Sequence, residues 1–207
     1  MGRSVQCNCK KTRAFNAAYL IDQNSGQILR QHAVDLAFRQ SSFQRLCAMN
    51  DYFYRLFSFN NWANQIVVNY LVDNQIQDGN CVKLMSHVFH AQSNWYKRII
   101  KQQSDLPVWD SLELRSLLPQ MEENGTLWLE YVSILDQQFF GEQVAYTNLA
   151  GQPFQSLIQD IITHVVNHGT HHRGQVIRRI RELGHVPPNT DFIHYTRIFQ
   201  SGSPIND

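Results

Sequence analysis

Length, composition and charge exclude several classes of protein. The chain has 207 residues, of which 43% are hydrophobic, 17% charged and 12% aromatic. These fractions are typical of a globular protein, not of a disordered or collagen-like one. The formal net charge of +1 gives no global electrostatic case for binding nucleic acid. No apolar run approaches the ~18–20 residues of a membrane span or resembles a secretory signal, so we expect no membrane association.

The composition changes near residue 49. Residues 1–48 carry seven Lys or Arg and two Asp or Glu, whereas residues 49–207 carry eleven basic and fifteen acidic residues. The first segment opens without a sustained helical or strand period. Three interpretations of it remain open: a non-native or disordered extension before a natural start at Met49, an organelle-targeting peptide, or a functional basic tail. Targeting fits less well because serine is not abundant. We expect the folded domain to be residues 49–207.

The cysteines indicate a reducing compartment. Cys7, Cys9 and Cys47 lie in the first segment, and Cys81 is the single cysteine of the expected domain. This is not a disulfide framework. We therefore expect an intracellular, cytoplasmic protein. A lone C-x-C is weak grounds for a metal site, and Cys81 reads as a small core residue.

Hydrophobic periodicity predicts four helices from residue 49 onward. Apolar positions recur at intervals of three and four in the ranges 51–71, 82–102, 121–139 and 156–183. The sequence QDGN at 77–80 indicates a turn or a helix start, and residues 112–118 indicate a short helix. Residues around Gly151 predict a small hairpin, Gly184 a helix C-cap, and the segment after it an extended tail. The fold is predicted to be all-α, a four-helix bundle with a small hairpin insertion before the last helix.

The last predicted helix holds an unusual group of histidines. His164, His168, His171 and His172 fall within nine positions, although the whole chain has only nine histidines. At ~100° per residue all four lie within about 100° of arc. Two pairs have i, i+4 spacing, and such a pair can bind one divalent ion at ~2.0–2.1 Å. The spacing alone does not show whether the ligand pair is His164 with His168 or His168 with His172.

A third ligand should come from a different helix, since two ligands on one helix do not usually hold a metal firmly. The second predicted helix offers His87 and His90, three residues apart in HVFHAQSNWYKRI. Periodicity leaves both open. A single histidine on an apolar face is more often a core residue than a metal ligand. A pair of histidines on one helix, together with a histidine on a second helix, favours metal binding.

Three stretches make the chain similar to a known family. NHGTHHRGQV in the last helix, HVFHAQSNWYKRI in the second and YFYRLFSFNNWAN in the first resemble the DinB family, a DinB/YfiT-like group of four-helix-bundle metalloenzymes. The resemblance runs from Met49 to Phe199 and includes the ending LGHVPPNTDFIHYTR. The NHxxxHRGQ element is specific. Residues 1–48 match nothing in the family, which favours Met49 as the natural start.

The resemblance implies a site and a set of activities. Its pattern places metal ligands at His87, His168 and His172. Asn167 and Gln175 are candidate partners of the ligating rings, since such rings usually need a partner on their second nitrogen. It implies a divalent ion, with zinc, nickel and iron as candidates, and a low-molecular-weight thiol as cofactor. Relatives include thiol-dependent transferases, so a metal-dependent thiol S-transferase acting on small electrophiles is the leading hypothesis.

Two other functions stay open at this point. The same site could activate water in a metal-dependent hydrolase, or the protein could be a non-enzymatic, damage- or stress-inducible metal-binding protein. We expect a small-molecule substrate, no nucleic-acid partner and, from the resemblance, a homodimer. Arg173 could hold an anionic group, but a solvated arginine on the helix surface is the preferred interpretation. No general base is assigned.

Overall fold

The computed structural model describes residues 26–103, 106–148 and 150–199, with side chains from residue 49 onward. The chain divides into two units, residues 1–43 and 44–207, and every contact described below lies in the second. The expected boundary at residue 49 stays a prediction. In chain order the elements are α1 Gly26–Asp73, α2 Gly79–Ile99, α3 Leu114–Ile134, α4 Gln137–Phe140, β1 Gln143–Thr147, β2 Pro153–Leu157, α5 Ile158–Glu182 and α6 Phe192–Phe199. The predicted all-α fold with a hairpin insertion is confirmed.

Helix α1 begins earlier than the pattern indicated. It starts at Gly26, whereas we expected the first helix at residues 51–71. Residues 27–48 contain neither glycine nor proline, so helix propensity opposes no part of this stretch. The apolar periodicity that guided the prediction was recognised only at residues 51–71, which is why the helix was expected only there.

Helix α2 begins where the sequence QDGN indicated. The carboxylate of Asp78 accepts hydrogen bonds from the backbone N–H groups of Asn80 and Cys81, both at 3.1 Å. This is an N-cap, which satisfies donors that the first helical turn leaves free. The helix ends at Ile99, three residues before the expected end, and Lys101 follows with φ +57°.

The third long helix is shifted from its predicted position. Residues 112–118 do not form a separate helix, because α3 starts at Leu114 and continues through Pro119. The expected single helix to residue 139 is broken at Leu135, which is extended, and α4 follows. The side-chain amide of Asn50 donates to the carbonyls of Val132 and Leu135, both at 2.8 Å. A contact from α1 therefore caps α3, and such a contact has no local sequence signature.

The hairpin and the end of α5 agree with prediction. Strands β1 and β2 pair antiparallel from Gln143 opposite Leu157 to Thr147 opposite Pro153. Gly151 has φ +76° in the connection and Gly184 has φ +84° after α5. Beyond α5, the backbone N–H of Gly184 donates to the carbonyl of Arg181. The backbone N–H of His185 donates to the carbonyl of Ile180. This pair of bonds is a Schellman motif, in which glycine adopts the left-handed conformation without steric strain.

The tail predicted as extended is partly helical, so that prediction is wrong. Residues 192–199 form α6, whose aromatic rings pack on α1. Phe192 meets Phe59 edge-to-face at 5.1 Å between ring centroids, and Tyr195 lies 5.3 Å from Trp62. The two prolines before α6 suggested an extended chain, but they lie outside the segment that these aromatic contacts stabilise.

The core is built by α1, α2, α3 and α5. Two groups of buried side chains draw on all four helices, one toward each end of the bundle. Trp128 of α3 is fully buried, stacks on Phe57 of α1 at 4.7 Å and donates its indole N–H to the carbonyl of Gln92 on α2. Helices α2 and α5 run antiparallel, because Arg179 near the end of α5 pairs with Asp78 before α2. Among the described helices none is long and apolar enough to cross a membrane.

Candidate metal centre

Three histidines meet between α2 and α5. His168 and His172 are one turn apart on α5, and His87 faces them from α2. One potential ligand nitrogen of each lies within 4.8 Å of the other two. The Nε2 atoms of His87 and His168 are 3.1 Å apart, and the ring of His172 lies 4.7 Å from that of His87. Within the part of the chain that the structure describes, this is the one such group of three or more His, Cys, Asp or Glu side chains. We call these three residues the triad.

The loop before α3 fixes the ring of His87. Nδ1 of His87 donates to the carbonyl of Val108 at 2.8 Å. A carbonyl can only accept, so Nδ1 carries the proton and Nε2 keeps its lone pair for a ligand. The indole of Trp109 stacks on the same ring, with 3.7 Å between centroids and 6° between planes. Two adjacent loop residues thus set the tautomer and the orientation of His87.

His172 is oriented from its own helix. The amide oxygen of Gln175 accepts a hydrogen bond from Nδ1 of His172 at 2.7 Å, which leaves Nε2 of His172 free to bind a metal. Such partners on the second ring nitrogen are usual for metal-binding histidines. Gln175 therefore contacts a triad ring, as we expected from the sequence. Asn167 is exposed and has no hydrogen bond to a triad ring in the described structure.

Burial favours the neutral form of two triad rings, those of His87 and His168. Desolvation, together with the smaller effect of the neighbouring histidines, lowers the pKa of His168 to about 3. Desolvation also lowers the pKa of His87, against the opposing effect of its bond to Val108. The neutral imidazole is the form that binds metal ions, and the protonated form would repel one. The environment of these rings therefore favours the ligand form at neutral pH.

The donor set fits a divalent cation. Two imidazole nitrogens that bind one tetrahedral zinc ion at ~2.0–2.1 Å are about 3.3 Å apart, and the Nε2 atoms of His87 and His168 are 3.1 Å apart. No carboxylate or thiolate belongs to the group. Cys81 is fully buried elsewhere, and desolvation raises the pKa of its thiol to about 12. The predicted core role of Cys81 is consistent with this burial, and the triad has no fourth protein ligand among the described residues.

The other histidines take different positions. His90, which periodicity could not separate from His87, is 2% exposed, and its Nδ1 has no hydrogen-bond partner within the described residues. His164 lies against Trp95 at 5.6 Å and beside His168 at 5.4 Å. His171 is exposed and accepts from the amide of Gln175 at 3.3 Å. The structure thus brings together His87, His168 and His172, as the family resemblance implied.

Arg173 is not the solvated surface residue that we expected. It is 1% exposed, and its Nη1 donates to the side-chain oxygens of Asn60 at 2.6 Å and Asn64 at 2.7 Å. Nη2 donates to Thr170 at 2.9 Å. Desolvation lowers the pKa of Arg173 to about 9, so the guanidinium is still charged at neutral pH. A buried cation held by neutral oxygens directly follows His172 and joins α5 to α1.

The burial of Arg173 could have been predicted from its position in the sequence. Arg173 lies four residues after Gly169 and three before Val176, on the apolar stripe of α5. Gly169 leaves the room that the arginine uses, because a Cβ there would lie 2.8 Å from Nη1 of Arg173. The role of Trp109 had no comparable signal, since it comes from an irregular loop.

Comparison with known proteins finds two similarities. A sequence profile described as the DinB family matches residues 49–202, a range that contains α2, α3, α5 and the whole triad. The chain is also 27% identical over 160 residues to Protein DinB of Bacillus subtilis (strain 168). That alignment covers 70% of this chain and 93% of the Bacillus protein.

Proposed function

Because the chain belongs to the DinB family, we propose that it binds a divalent metal ion through His87, His168 and His172 and acts as a thiol S-transferase on small electrophiles. The observation that carries the proposal is the meeting of three imidazole nitrogens from two helices within 4.8 Å of one another. When bound, an ion with three imidazole ligands keeps an open position that can hold a thiol as thiolate or make a water molecule more acidic. Zinc, nickel and iron suit such ligands.

The surrounding residues support a built site. The oxygens of Val108 and Gln175 accept hydrogen bonds from the Nδ1–H groups of His87 and His172, so the Nε2 lone pair of each ring stays available to a metal. Desolvation lowers the pKa of His168 and removes proton competition at that ring. Trp109 covers one face of His87 and shields it from water. Each of these contacts would be unnecessary for a surface cluster without a ligand.

The metal is tested by its stoichiometry. Elemental analysis of the full chain, prepared without a histidine tag, should find about one divalent ion per chain. His87→Ala and His168→Ala should each lose it, because two imidazoles hold a metal weakly. His185→Ala, beyond the end of α5, is the matched control and should retain the ion. A parent chain that takes up neither zinc nor nickel when they are added would refute the metal site.

The reaction is tested separately with the loaded chain. A small thiol and 1-chloro-2,4-dinitrobenzene are suitable probes: a sulfur–carbon bond forms, the carbon–chlorine bond breaks, chloride leaves and the thiol proton passes to solvent. The loaded parent should consume thiol faster than the metal-free parent and than His168→Ala. Cleavage of 4-nitrophenyl acetate without thiol consumption would instead support the hydrolase. Metal binding without either activity would support a non-enzymatic stress protein.

Domain organisation and assembly complete the proposal. We propose that residues 49–207 form the functional domain, since the family match begins at residue 49. A chain that starts at Met49 should bind metal with the stoichiometry of the full chain.

We also propose a homodimer. Three apolar side chains of α6 are exposed, namely Ile193, Ile198 and Phe199, and exposed apolar groups of this kind favour association. Light scattering coupled to size-exclusion chromatography measures the assembly.

A further inference from the structure

A cavity of about 450 Å³ lies beside the triad in the groove between α2 and α5. Its lining includes Lys83, Trp109, Gln175, Arg178, Arg179 and Glu182. None of these residues belongs to the proposed metal ligands. The cavity therefore borders the triad but is lined by other side chains.

The cavity is continuous with the triad through two shared residues. Trp109 lines the cavity and stacks on His87 at 3.7 Å. Gln175 lines it and accepts from His172 at 2.7 Å. Lys83 precedes His87 by four residues on α2, and one helical turn advances ~5.4 Å. The cavity therefore borders the triad, and Lys83 lies one helical turn from His87 along α2.

The charges of the cavity leave one cation without a partner. Arg178 pairs with Glu182 at 2.8 Å, and Arg179 pairs with Asp78 at 2.8 Å. Lys83 has no carboxylate within 4.0 Å in the part of the chain that the structure describes, and its ammonium lies 5.7 Å from the centre of the Trp109 ring. Three cations thus face two carboxylates. The uncompensated charge belongs to Lys83, on the outer face of the indole that covers His87.

The chemistry of this arrangement suits one negative group on a short apolar linker. An ammonium attracts a carboxylate, and the exposed indole offers an apolar surface for the carbons between that carboxylate and the triad. Trp109 is 49% exposed, so a ligand can contact it without displacing core side chains.

We propose that this cavity binds the carboxylate of the small molecule whose thiol reaches the triad, with Lys83 as the specificity-determining residue and the Trp109 indole as the apolar surface along which the linking carbons lie. The assignment rests on the proposed function, because it requires a thiol at the triad. It adds the chemical class: a carboxylate-bearing thiol is preferred over a neutral thiol of the same length.

The test uses the full chain loaded with cobalt(II). Binding of a thiol to this ion is followed by the near-ultraviolet charge-transfer absorption of the cobalt–thiolate bond, without turnover. The probes are matched pairs: 3-mercaptopropionate with 3-mercapto-1-propanol, and the corresponding four-carbon acid and alcohol. The parent should bind at least one acid about three- to fivefold more tightly than its alcohol, as for an exposed charge pair, and added salt should reduce the difference.

Variants separate the cavity from other causes. Lys83→Met should remove the preference for the acid and leave the affinity for the alcohol unchanged, whereas Lys83→Arg should retain the preference. Lys83 is exposed on α2, so circular dichroism should show an unchanged fold. Lys97→Met, on the same helix near its other end, is the control and should behave as the parent does.

The outcomes distinguish the two proposals. Equal affinity of acid and alcohol in the parent would overturn the carboxylate subsite but leave thiol binding intact. A preference that survives in Lys83→Met would show that the carboxylate binds the cobalt ion itself, and this would also overturn the subsite. If no thiol produces the charge-transfer absorption, the proposal that a thiol binds at the triad is refuted. The carboxylate subsite, which depends on that thiol, is then refuted as well.

Discussion

Arg173→Met should destabilise the protein because it leaves two buried acceptors without donors. Asn60 and Asn64 are 0% and 2% exposed, and both side-chain oxygens accept from the same guanidinium nitrogen. Methionine resembles arginine in length and apolar stem but offers no donor. The change therefore removes the hydrogen bonds while it largely preserves the packing.

The expected loss in the free energy of unfolding follows from the number of buried acceptors left without a donor. A buried acceptor that loses its donor destabilises a protein by about 1–3 kcal/mol, so two acceptors give about 2–6 kcal/mol. Relief of the desolvation of the guanidinium offsets part of this loss, because a buried cation is itself unfavourable. We expect the free energy of unfolding to fall by about 3 kcal/mol.

Urea denaturation of the full chain, followed by circular dichroism, measures the change. Arg181→Met is the matched control: it lies on the same helix, is exposed, and should change the free energy of unfolding by at most about 0.5 kcal/mol. A variant that also carries Asn64→Leu should recover part of the lost stability, since only the side-chain oxygen of Asn60 is then left without its donor. A loss for Arg173→Met no larger than that of Arg181→Met would refute this account of the buried network.

Three further predictions use other contacts. Gly169→Ala should destabilise the protein by about 1–3 kcal/mol, because its Cβ would lie 2.6 Å from the side-chain oxygen of Asn60; Gly174→Ala meets nothing within 4 Å and should stabilise by up to about 1 kcal/mol, and urea titration separates the two. Asp78→Ala should lower stability by about 1 kcal/mol through the lost N-cap, and Asp78→Asn by less, since asparagine also caps; equal losses would contradict the capping role. The pKa of His168 is lowered to about 3 in the folded chain, so below about pH 6.5 the unfolded state binds the extra proton. The melting temperature of the metal-free chain should therefore fall from pH 7 to pH 5 and fall less in His168→Asn, and a curve independent of pH would refute this.

Local features of the chain were readable from the sequence. The N-cap at Asp78 and the positive φ at Gly151 and Gly184 follow from single residues and their neighbours. The face shared by His168 and His172 follows from helical geometry alone. These features require no information about distant residues, which explains their agreement with the structure.

The sequence-based predictions were wrong where a contact with residues distant in the chain decided the local structure. The end of α3 is capped by Asn50, which lies more than eighty residues earlier in the chain. The tail forms α6 because its aromatic side chains pack on Phe59 and Trp62. Neither contact leaves a pattern in the segment that it shapes, so periodicity could not detect it.

The face that the histidines of α5 share is thus determined by the sequence itself, because the helical repeat fixes which side chains lie on one face. Only the tertiary structure decided which histidine of α2 meets that pair. His87 and His90 are both buried, and their spacing allows either. The register between α2 and α5 selects His87, and the loop before α3 then supplies Val108 and Trp109 to hold it. Register is set by core packing between helices far apart in sequence, and that packing also buries Arg173 beside the site.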